Sequence, residues 1–322
     1  MKKIAILTSG GDAPGMNAAI RSAAKFAFYQ GIEVFGIRRG YKGMLDNDIF
    51  KMTSSDVSGI IDRGGTVLLS ARLPEFKDPE IRKIAADNLK DHGIEGLIVI
   101  GGDGSFRGAD LLYKEHGIKV IGIPGTIDND IIGTDFTIGY DTTLNIIIEA
   151  MVRLRDTATS HERTYLVEVM GRDAGDLALY ASLAAGGDGF FIPEAKDSVQ
   201  DIADVIKERR AVGKLHDIIL VSEGVGSAYE IGKELTKIVD TELRITVLGH
   251  IQRGGSPSAF DRVLATKMGA KAVKELMAGE SGMMICSESN KITTKFIDYA
   301  WNGIVDNTQK RKDIELAHIL TR

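Results

Sequence analysis

The sequence is poor in cysteine. Its single cysteine among 322 residues, Cys286, excludes an internal disulfide and any metal site built from several thiolates. A chain without disulfides is typical of a reducing compartment. We therefore expect a cytoplasmic protein in which Cys286 is a buried, unreactive thiol.

Long apolar runs are missing as well, because no apolar segment approaches the length of a membrane span. Met1 to Lys3 resemble the basic start of a signal peptide, but the apolar stretch that follows stops at Thr8, too early for such a peptide. We expect a buried first strand and no membrane partner. Proline is scarce (6) while glycine is abundant (37), which predicts many tight turns and no stiff linker.

An excess of positive charge is also absent. The formal net charge of −5 argues against nonspecific binding of nucleic acid, so we expect no nucleic-acid partner. An anionic ligand would need arginines concentrated locally against this overall sign. With 43% hydrophobic and 26% charged residues the chain is globular, and its length favours two domains.

Short apolar runs recur along the chain, and most are apolar at every position rather than at alternate ones. This pattern predicts strands that are buried on both faces. The runs are Ile4–Leu7, Val34–Ile37, Leu97–Ile100, Val120–Ile123, Tyr165–Val169, Ile218–Val221, Thr246–Gly249 and Met283–Cys286.

Helical patterns lie between these runs. One apolar stripe contains Met16, Ala19, Ile20, Ala23 and Ala27, and another contains Leu144, Ile147, Ile148, Met151 and Leu154. Alternating strands and helices predict an α/β fold with mostly parallel sheets, in which ligands bind at the carboxyl ends of the strands.

Glycine- and aspartate-containing turns follow three of the predicted strands, at residues 8–17, 101–105 and 124–131. Glycine lets the backbone approach a ligand, and a following helix N-terminus offers N–H groups to an anion. Asp103 suits Mg²⁺ held on a polyphosphate, and Asp128 or Asp130 suits a base that takes a proton from a hydroxyl. Alone, the first turn is equally compatible with an ordinary βα turn, and the third with a turn stabilised by Asx hydrogen bonds. Asp103 in the second turn could merely cap the following helix, but two similar turns after two strands argue against this alternative.

Arginines suited to phosphate lie beside glycine turns or at predicted strand ends: Arg72, Arg163, Arg172, Arg244 and Arg253. The guanidinium group binds phosphate through two parallel hydrogen bonds. Any one of them is more often a surface charge than a ligand. A base, a metal site and several arginines together are what phosphoryl transfer needs.

Five segments together closely resemble the bacterial ATP-dependent 6-phosphofructokinases: SGGDAPGMNAAIR, GGDGS, PGTIDNDI, DTATSHERTYLVEVMGR and LGHIQRGGSPSAFDR. The resemblance runs from Ile4 to at least Arg262. It implies that fructose 6-phosphate and ATP react to give fructose 1,6-bisphosphate and ADP, with Mg²⁺ as the metal. GGDG alone would be less specific, because NAD kinases and diacylglycerol kinases share something similar.

The resemblance also implies the role of individual residues. Those that contact ATP are Gly11, Arg72, Leu73, Gly102, Asp103, Gly104 and Ser105, with Asp103 binding Mg²⁺. Asp128 is the base for the sugar 1-hydroxyl, and the other catalytic residues are Arg72, Thr126, Asp130 and Arg172. The sugar phosphate contacts Thr126, Ile127, Asp128, Met170, Gly171, Arg172, Glu223, His250, Ile251, Gln252 and Arg253, and a neighbouring subunit of a homotetramer supplies Arg163 and Arg244.

Two glycines bear on the phosphoryl donor. Pyrophosphate-using relatives typically carry Asp in place of Gly104 and Lys in place of Gly125. Those side chains would occupy or charge-compensate the space taken by the rest of ATP. Glycine at both positions favours ATP.

The resemblance implies a regulatory site as well, but fewer of its residues match than in the active site. In many members ADP activates and phosphoenolpyruvate inhibits, and the residues that match their site are Arg21, Lys25, Arg155, Gly186, Gly187, Asp188 and Lys214. However, Gly59 and Val212 stand where some regulated relatives have Asp and Arg. We therefore expect weak or absent activation by ADP, and Arg21 and Lys25 are also compatible with a solvated helix face.

The resemblance implies two discontinuous Rossmann-like α/β/α domains. We expect an ATP-binding domain at residues 1–138 plus about 252–305, and a fructose 6-phosphate-binding domain at residues 139–251 plus about 306–322. Competing hypotheses are a pyrophosphate-dependent phosphofructokinase, a lipid or NAD kinase, and an inactive nucleotide or sugar-phosphate sensor. Asp103, Asp128 and Arg72 oppose the sensor, because a sensor needs no base.

Overall fold

The computed structural model describes residues 1–321, which form two compact units. Unit 1 contains Met1–Ile127, Ile131–Thr142 and Arg253–Val305. Unit 2 contains Asp128–Asp130, Thr143–Gln252 and the described residues from Asp306 onward. Both units are therefore discontinuous in sequence, and the boundary expected after residue 138 lies a few residues before the one after Thr142.

Strands and helices alternate along most of the described chain. The strands are β1 (Lys3–Ser9), β2 (Glu33–Ile37), β3 (Ile49–Lys51), β4 (Gly96–Gly101), β5 (Lys119–Pro124), β6 (Thr164–Val169), β7 (Gly189–Phe191), β8 (Asp217–Ser222), β9 (Leu243–Val247), β10 (Met283–Glu288) and β11 (Lys291–Phe296). The α-helices are α1 (Met16–Tyr29), α2 (Gly40–Leu45), α3 (Pro79–Asp91), α4 (Asp103–His116), α5 (Tyr140–His161), α6 (Asp176–Ala185), α7 (Val199–Ala211), α8 (Ala228–Leu235), α9 (Ala259–Ala278), α10 (Tyr299–Asn302) and α11 (Thr308–Leu320). Short 3-10 helices span Pro74–Lys77 and Gly249–Arg253.

Unit 1 is built on a seven-stranded sheet in the order β11-β10-β5-β4-β1-β2-β3. The strands from β10 to β2 are parallel, while β3 and β11 pair antiparallel at the two edges. All six residues of β4 are buried, as expected for a strand covered by helices on both faces.

Unit 2 is built on a four-stranded parallel sheet in the order β7-β8-β6-β9. Its apolar core includes Leu166, Ile219 and Val221 from the sheet and Ile206 from α7. The predicted α/β fold with mostly parallel sheets is therefore confirmed in both units.

Seven of the eight predicted strands coincide with observed strands, and one is displaced. The prediction of a strand at Thr246–Gly249 is wrong in position, because β9 is Leu243–Val247 and Gly249 begins a 3-10 helix. Gly249 has φ = +53°, a left-handed conformation that ends an extended strand. Arg244 consequently lies within β9 rather than before it.

Both predicted helical stripes form helices, α1 and α5. Helix α1 packs closely on α9, since a Cβ added to Gly269 would lie 2.6 Å from the carbonyl oxygen of Ala19. Within residues 1–321 no helix combines the length and the apolar character that crossing a membrane requires.

The thiol of Cys286 is buried in β10, as expected. Burial raises its pKa to about 12, because the thiolate would lose its hydration. At neutral pH the group is therefore a protonated, unreactive thiol.

Asp261, in the first turn of α9, is a buried carboxylate that joins the starts of two helices, α9 and α5. Its Oδ1 accepts a hydrogen bond from the N–H of Gly139 (2.9 Å), and its Oδ2 accepts from the N–H (2.8 Å) and hydroxyl (2.6 Å) of Thr142. The starts of α9 and α5 are thereby held together. Burial raises the pKa of Asp261 to about 6, although these hydrogen bonds oppose the shift.

The raised pKa predicts a pH-dependent contribution to stability. The ordinary pKa is 3.8, so stabilisation by Asp261 is complete below that pH and is lost as the pH rises through about 6. We expect the difference in unfolding free energy between wild type and Asp261→Asn to fall by about 2 kcal/mol from pH 4.5 to pH 7. Urea titrations of both proteins at the two pH values measure it, and a difference independent of pH contradicts the assignment.

Candidate active site

Three strands of unit 1 end level with one another at the carboxyl edge of its sheet. Ser9 at the end of β1 is in register with Gly101 of β4, and Gly101 is in register with Pro124 of β5. The strand order reverses between β1 and β4, which is where ligands bind in open α/β sheets. The three glycine turns identified in the sequence therefore begin at one edge.

The first turn brings Gly11 beside Arg253. A Cβ at Gly11 would collide with the Arg253 guanidinium in its present position, so a larger residue there would displace this side chain. Arg253 Nη1 donates a hydrogen bond to the carbonyl of Asp12 at 3.2 Å. The hydroxyl of Ser70 donates to the carbonyl of Gly10 at 2.6 Å, which fixes the same turn.

The second turn places Asp103 in the first turn of α4. Its side chain is 33% exposed, and Arg107 Nε lies 3.7 Å from its Oδ2. A Cβ at Gly104 would meet no described atom within 4 Å outside the backbone of its own helix, so the space on that side of the glycine is open. A partly exposed carboxylate at a helix N-terminus suits a hydrated cation that accompanies a bound anion.

The third turn continues from β5. The N–H of Gly125 donates to the carbonyl of Gly101 at 3.0 Å, and the Thr137 hydroxyl donates to the carbonyl of Thr126 at 2.7 Å. Ile127 is buried within unit 1, while Asp128, at 4% exposure, belongs to unit 2. A buried carboxylate has little hydration to lose, which suits a base that meets its substrate in a dry site.

The carboxyl edge of the unit 2 sheet is also level, with Val169 of β6 in register with Ser222 of β8, and Glu168 of β6 with Val247 of β9. The loops that follow carry Met170, Gly171 and Arg172, then Glu223, then His250 and Ile251. Arg172, Glu223, His250 and Ile251 are exposed at this edge.

Hydrogen bonds fix these loops to one another. The N–H of Arg172 donates to Glu223 Oε1 at 2.9 Å, and Arg172 Nη1 lies 3.5 Å from Asp130 Oδ2. Gly171 has φ = +138°, and a Cβ there would lie 2.5 Å from the carbonyl oxygen of Ala174. The loop that carries Arg172 therefore requires glycine at this position.

Gln252 is expected among the substrate contacts, but its amide is used inside the protein. The side chain is fully buried; its Oε1 accepts from the N–H of Met170 (3.2 Å) and its Nε2 donates to the carbonyl of Gly249 (2.9 Å). It ties together two of the loops at the carboxyl edge of unit 2.

Arg163 and Arg244 lie at the opposite, amino edge of the same sheet. Arg163 directly precedes β6, and Arg244 is in register with Tyr165 near the start of β6. Both pair with Glu242, with Arg163 Nε 3.0 Å from its Oε2, and the interaction with Arg163 is the main reason that the pKa of Glu242 is lowered. The structure does not bring these arginines to Arg172 and His250 within one chain.

Comparison with known proteins decides the family. A sequence profile described as phosphofructokinase matches residues 3–276. The chain belongs to the phosphofructokinase family.

Curated relatives and solved structures support the same family assignment. The chain is 62% identical over 322 residues to the ATP-dependent 6-phosphofructokinase of Fusobacterium nucleatum, covering all of this chain and 99% of the relative. It is 58% identical over 299 residues to the ATP-dependent 6-phosphofructokinase of Macrococcus caseolyticus, covering 92% and 93% of the two chains. Phosphofructokinase from Saccharomyces cerevisiae is similar in structure, with a TM-score of 0.88 and 36% identity over 99% of this chain. The chain spans about half (48%) of that yeast chain.

The chain also has an aromatic pair beside the turn of Asp103 that the sequence pattern did not predict. Tyr41 and Phe76 stack with centroids 4.2 Å apart, and the Tyr41 hydroxyl donates to the carbonyl of Ser105 at 2.5 Å. A Cβ at Gly108 would lie 2.9 Å from the Tyr41 ring. Glycine inside a helix is unfavourable by about 1 kcal/mol relative to alanine, so Gly108 was the available signal of a close contact.

Arg72 and Leu73 directly precede the 3-10 helix that contains Phe76. Arg72 is exposed, whereas Leu73 is half-buried and packs against the core of unit 1. Since Arg72 alone of the two presents a charged group to solvent, it is the one suited to a phosphate.

The residues expected at a regulatory site fall in both units and are described for each unit separately. In unit 1, Lys25 is exposed on α1 and Arg21 is half-buried. In unit 2, Arg155 Nη2 donates to the carbonyls of Ala185 (2.7 Å) and Gly186 (2.6 Å), and Lys214 is exposed.

Asp188, next to Gly187, is buried and already bonded. It accepts from Arg209 and from the N–H of Ile218 at 2.8 Å, and burial raises its pKa. Arg209 also pairs with Asp217 at 3.0 Å. Asp188 is thus part of an internal charge network in unit 2.

Proposed function

We propose that the chain transfers the γ-phosphoryl group of ATP to the 1-hydroxyl of fructose 6-phosphate, giving fructose 1,6-bisphosphate and ADP, as a cytoplasmic step of glycolysis. The observation that carries this proposal is the 62% identity over 322 residues to a relative named ATP-dependent 6-phosphofructokinase. Residues with the chemistry of each step are present at the strand ends described above.

The carboxyl edge of unit 1 is suited to a magnesium nucleotide. No group of three or more histidine, cysteine or acidic side chains within residues 1–321 is placed to hold a metal, so Asp103 would be the main protein ligand. Mg²⁺ commonly takes few protein ligands and the rest from phosphates and water, so the residues fit this ion. When bound, it supplies charge neutralisation at the phosphates, while Gly11, Arg72 and residues 102–105 surround the nucleotide.

Two glycines support ATP as the donor. The space that a Cβ of Gly104 would enter is open, so no side chain within residues 1–321 blocks a larger donor at that point. A Cβ at Gly125 would lie 3.1 Å from both Ile100 Cγ2 and Met16 Cε, so a lysine there would require its neighbours to move. Neither position provides the acidic or basic side chain typical of pyrophosphate users.

Asp128 acts as the base. Its carboxylate accepts the proton of the sugar 1-hydroxyl while that oxygen forms a bond to the γ-phosphorus and the bond to the ADP oxygen breaks. Thr126 and Asp130 flank it in the chain, and Arg172 supplies positive charge. Met170, Gly171, Glu223, His250, Ile251 and Arg253 contribute to holding the sugar phosphate, and buried Gln252 orients their loops.

A second copy of the chain completes the binding site for the 6-phosphate group of the sugar. Strands rise about 3.3 Å per residue, so the amino edge at Tyr165 is about 13 Å from Val169 along β6. This separation, together with the family resemblance, supports the proposal that Arg163 and Arg244 serve the site of a neighbouring subunit in a homotetramer, where their guanidinium groups bind the phosphate.

Regulation by ADP is weak. Val212 is 76% exposed where some regulated relatives carry arginine, and a Cβ at Gly59 would meet no described atom within 4 Å beyond its chain neighbours. Arg21, Lys25, Arg155, Lys214 and the turn at Gly186 and Gly187 remain available to an anionic effector such as phosphoenolpyruvate. Asp188 is neutralised by Arg209 and offers little to an effector-bound cation.

The function predicts turnover of fructose 6-phosphate with Mg-ATP and a large loss on Asp128→Asn. We expect kcat to fall by about 10²-fold or more, because the amide cannot accept the proton. A coupled assay of ADP release measures it, with Asp87→Asn, an exposed carboxylate on α3, as the control. Full activity of folded Asp128→Asn would remove Asp128 as the base.

Activation by ADP tests the regulatory assignment. We expect added ADP to change the half-saturating concentration of fructose 6-phosphate by less than about twofold. Val212→Arg should increase the response, because it restores a guanidinium at the exposed position. A clear fall in that concentration for the wild type would contradict weak activation.

A further inference from the structure

The loop formed by residues 170–175, here called the arginine loop, is fixed at several points. Near the start of the loop, the N–H of Arg172 donates a hydrogen bond to Glu223 Oε1. In its middle the N–H of Ala174 donates to the carbonyl of Gly171 (2.9 Å), and Ser222 donates to the carbonyl of Ala174 (3.1 Å). At its rear the N–H of Gly175 donates to Glu194 Oε1 at 3.0 Å.

The rear attachment depends on a lysine far away in sequence. Lys310 Nζ lies 3.0 Å from Glu194 Oε1 and is also bonded to Asp176 Oδ2, the first residue of α6 after the arginine loop. The three side chains are only 9–23% exposed. A pairing this sheltered is more sensitive to loss of one partner than a surface ion pair.

Helix α11, which carries Lys310, is itself anchored to unit 2. The hydroxyl of Tyr180 on α6 donates to Asp313 Oδ2 at 2.8 Å. The ring of His318 stacks on Phe190 with centroids 5.0 Å apart. Lys310 is therefore presented to Asp176 and Glu194 from a fixed helix.

Removing the ammonium group would leave two carboxylates together. Burial already raises the pKa of Asp176, and the charge of Lys310 opposes that shift. Without Lys310, Glu194 would lose the ammonium group that holds its carboxylate beside the N–H of Gly175, and any repulsion from Asp176 would add to that loss, so the rear of the arginine loop would be released.

We propose that Lys310 is a positioning residue for sugar-phosphate binding: it holds Glu194 and Asp176 in place and thereby orients the arginine loop. The proposal rests on the function proposed above, in which Met170, Gly171 and Arg172 contact the sugar phosphate. Lys310 itself touches no substrate, and it acts through the backbone of Gly175.

The test compares Lys310→Met with Lys310→Arg and with Lys312→Met, the last being an exposed lysine of the same helix. We expect Lys310→Met to raise KM for fructose 6-phosphate about tenfold while KM for ATP stays within about twofold, because a small displacement of a binding loop is felt by its own ligand. Lys310→Arg should stay near the wild type because it keeps the charge, and Lys312→Met should be unchanged. A merely structural role would reduce the active fraction and lower kcat with both KM values unaltered.

Calorimetric titration of fructose 6-phosphate in the absence of nucleotide provides the second readout, with a matching loss of affinity expected for Lys310→Met. If Lys310→Met does not fold, Lys310→Met/Asp176→Asn removes the buried charge of Asp176 and should still show the raised KM. An unchanged KM for the sugar in a folded variant, or an equal rise in both KM values, overturns the proposal. Failure of the wild type to use fructose 6-phosphate would instead overturn the proposed function.

Discussion

The direction of parallel strands is the constraint on which the rest of this molecule depends. Parallel strands all end at the same edge of a sheet, so residues far apart in sequence are collected there. In unit 1 this edge joins the turns after Ser9, Gly101 and Pro124. In unit 2 it joins the loops after β6, β8 and β9, while the starts of β6 and β9 place Arg163 and Arg244 at the other edge.

Buried polar groups then set the exact shape of the loops. Gln252 joins the loops after β6 and β9, Asp261 joins the starts of α5 and α9, and Lys310 supports the arginine loop from behind. Each satisfies backbone N–H groups or compensates charge away from water, where an unsatisfied partner is unfavourable by about 1–3 kcal/mol. Of the three, Gln252 and Lys310 act on loops that carry the proposed sugar-phosphate ligands without needing to touch the substrate.

The sequence predicts the sheets and the glycine turns well, because continuous apolar runs and glycine positions are local signals. It misplaces β9 because Thr246 to Gly249 is apolar enough for a strand, while the left-handed Gly249 ends it. Strands β3 and β7 are only three residues long, and the edge strand β11 has four half-buried residues, so none of the three gives a long apolar run.

Long-range partners are harder to predict. The Tyr41–Phe76 pair, the Asp261 carboxylate and Lys310 depend on residues 35, 119 and 134 positions away respectively. Their side chains give no local pattern that separates them from core or surface residues. The motifs of the family supply the residue types of the reaction, but not the neighbours that hold those residues in place.

The most direct test of the central claim, that two copies of the chain build one sugar-phosphate site, is a subunit-mixing assay. Asp128→Asn lacks the base and Arg163→Ala lacks the phosphate ligand lent to a neighbour, so each protein alone should be nearly inactive. If the two are dissociated together in mild denaturant and reassembled, some sites will combine an intact Asp128 with an intact Arg163 from the other subunit. Activity clearly above that of either parent treated in the same way is the predicted result, and a mixture no more active than the average of its parents would contradict it.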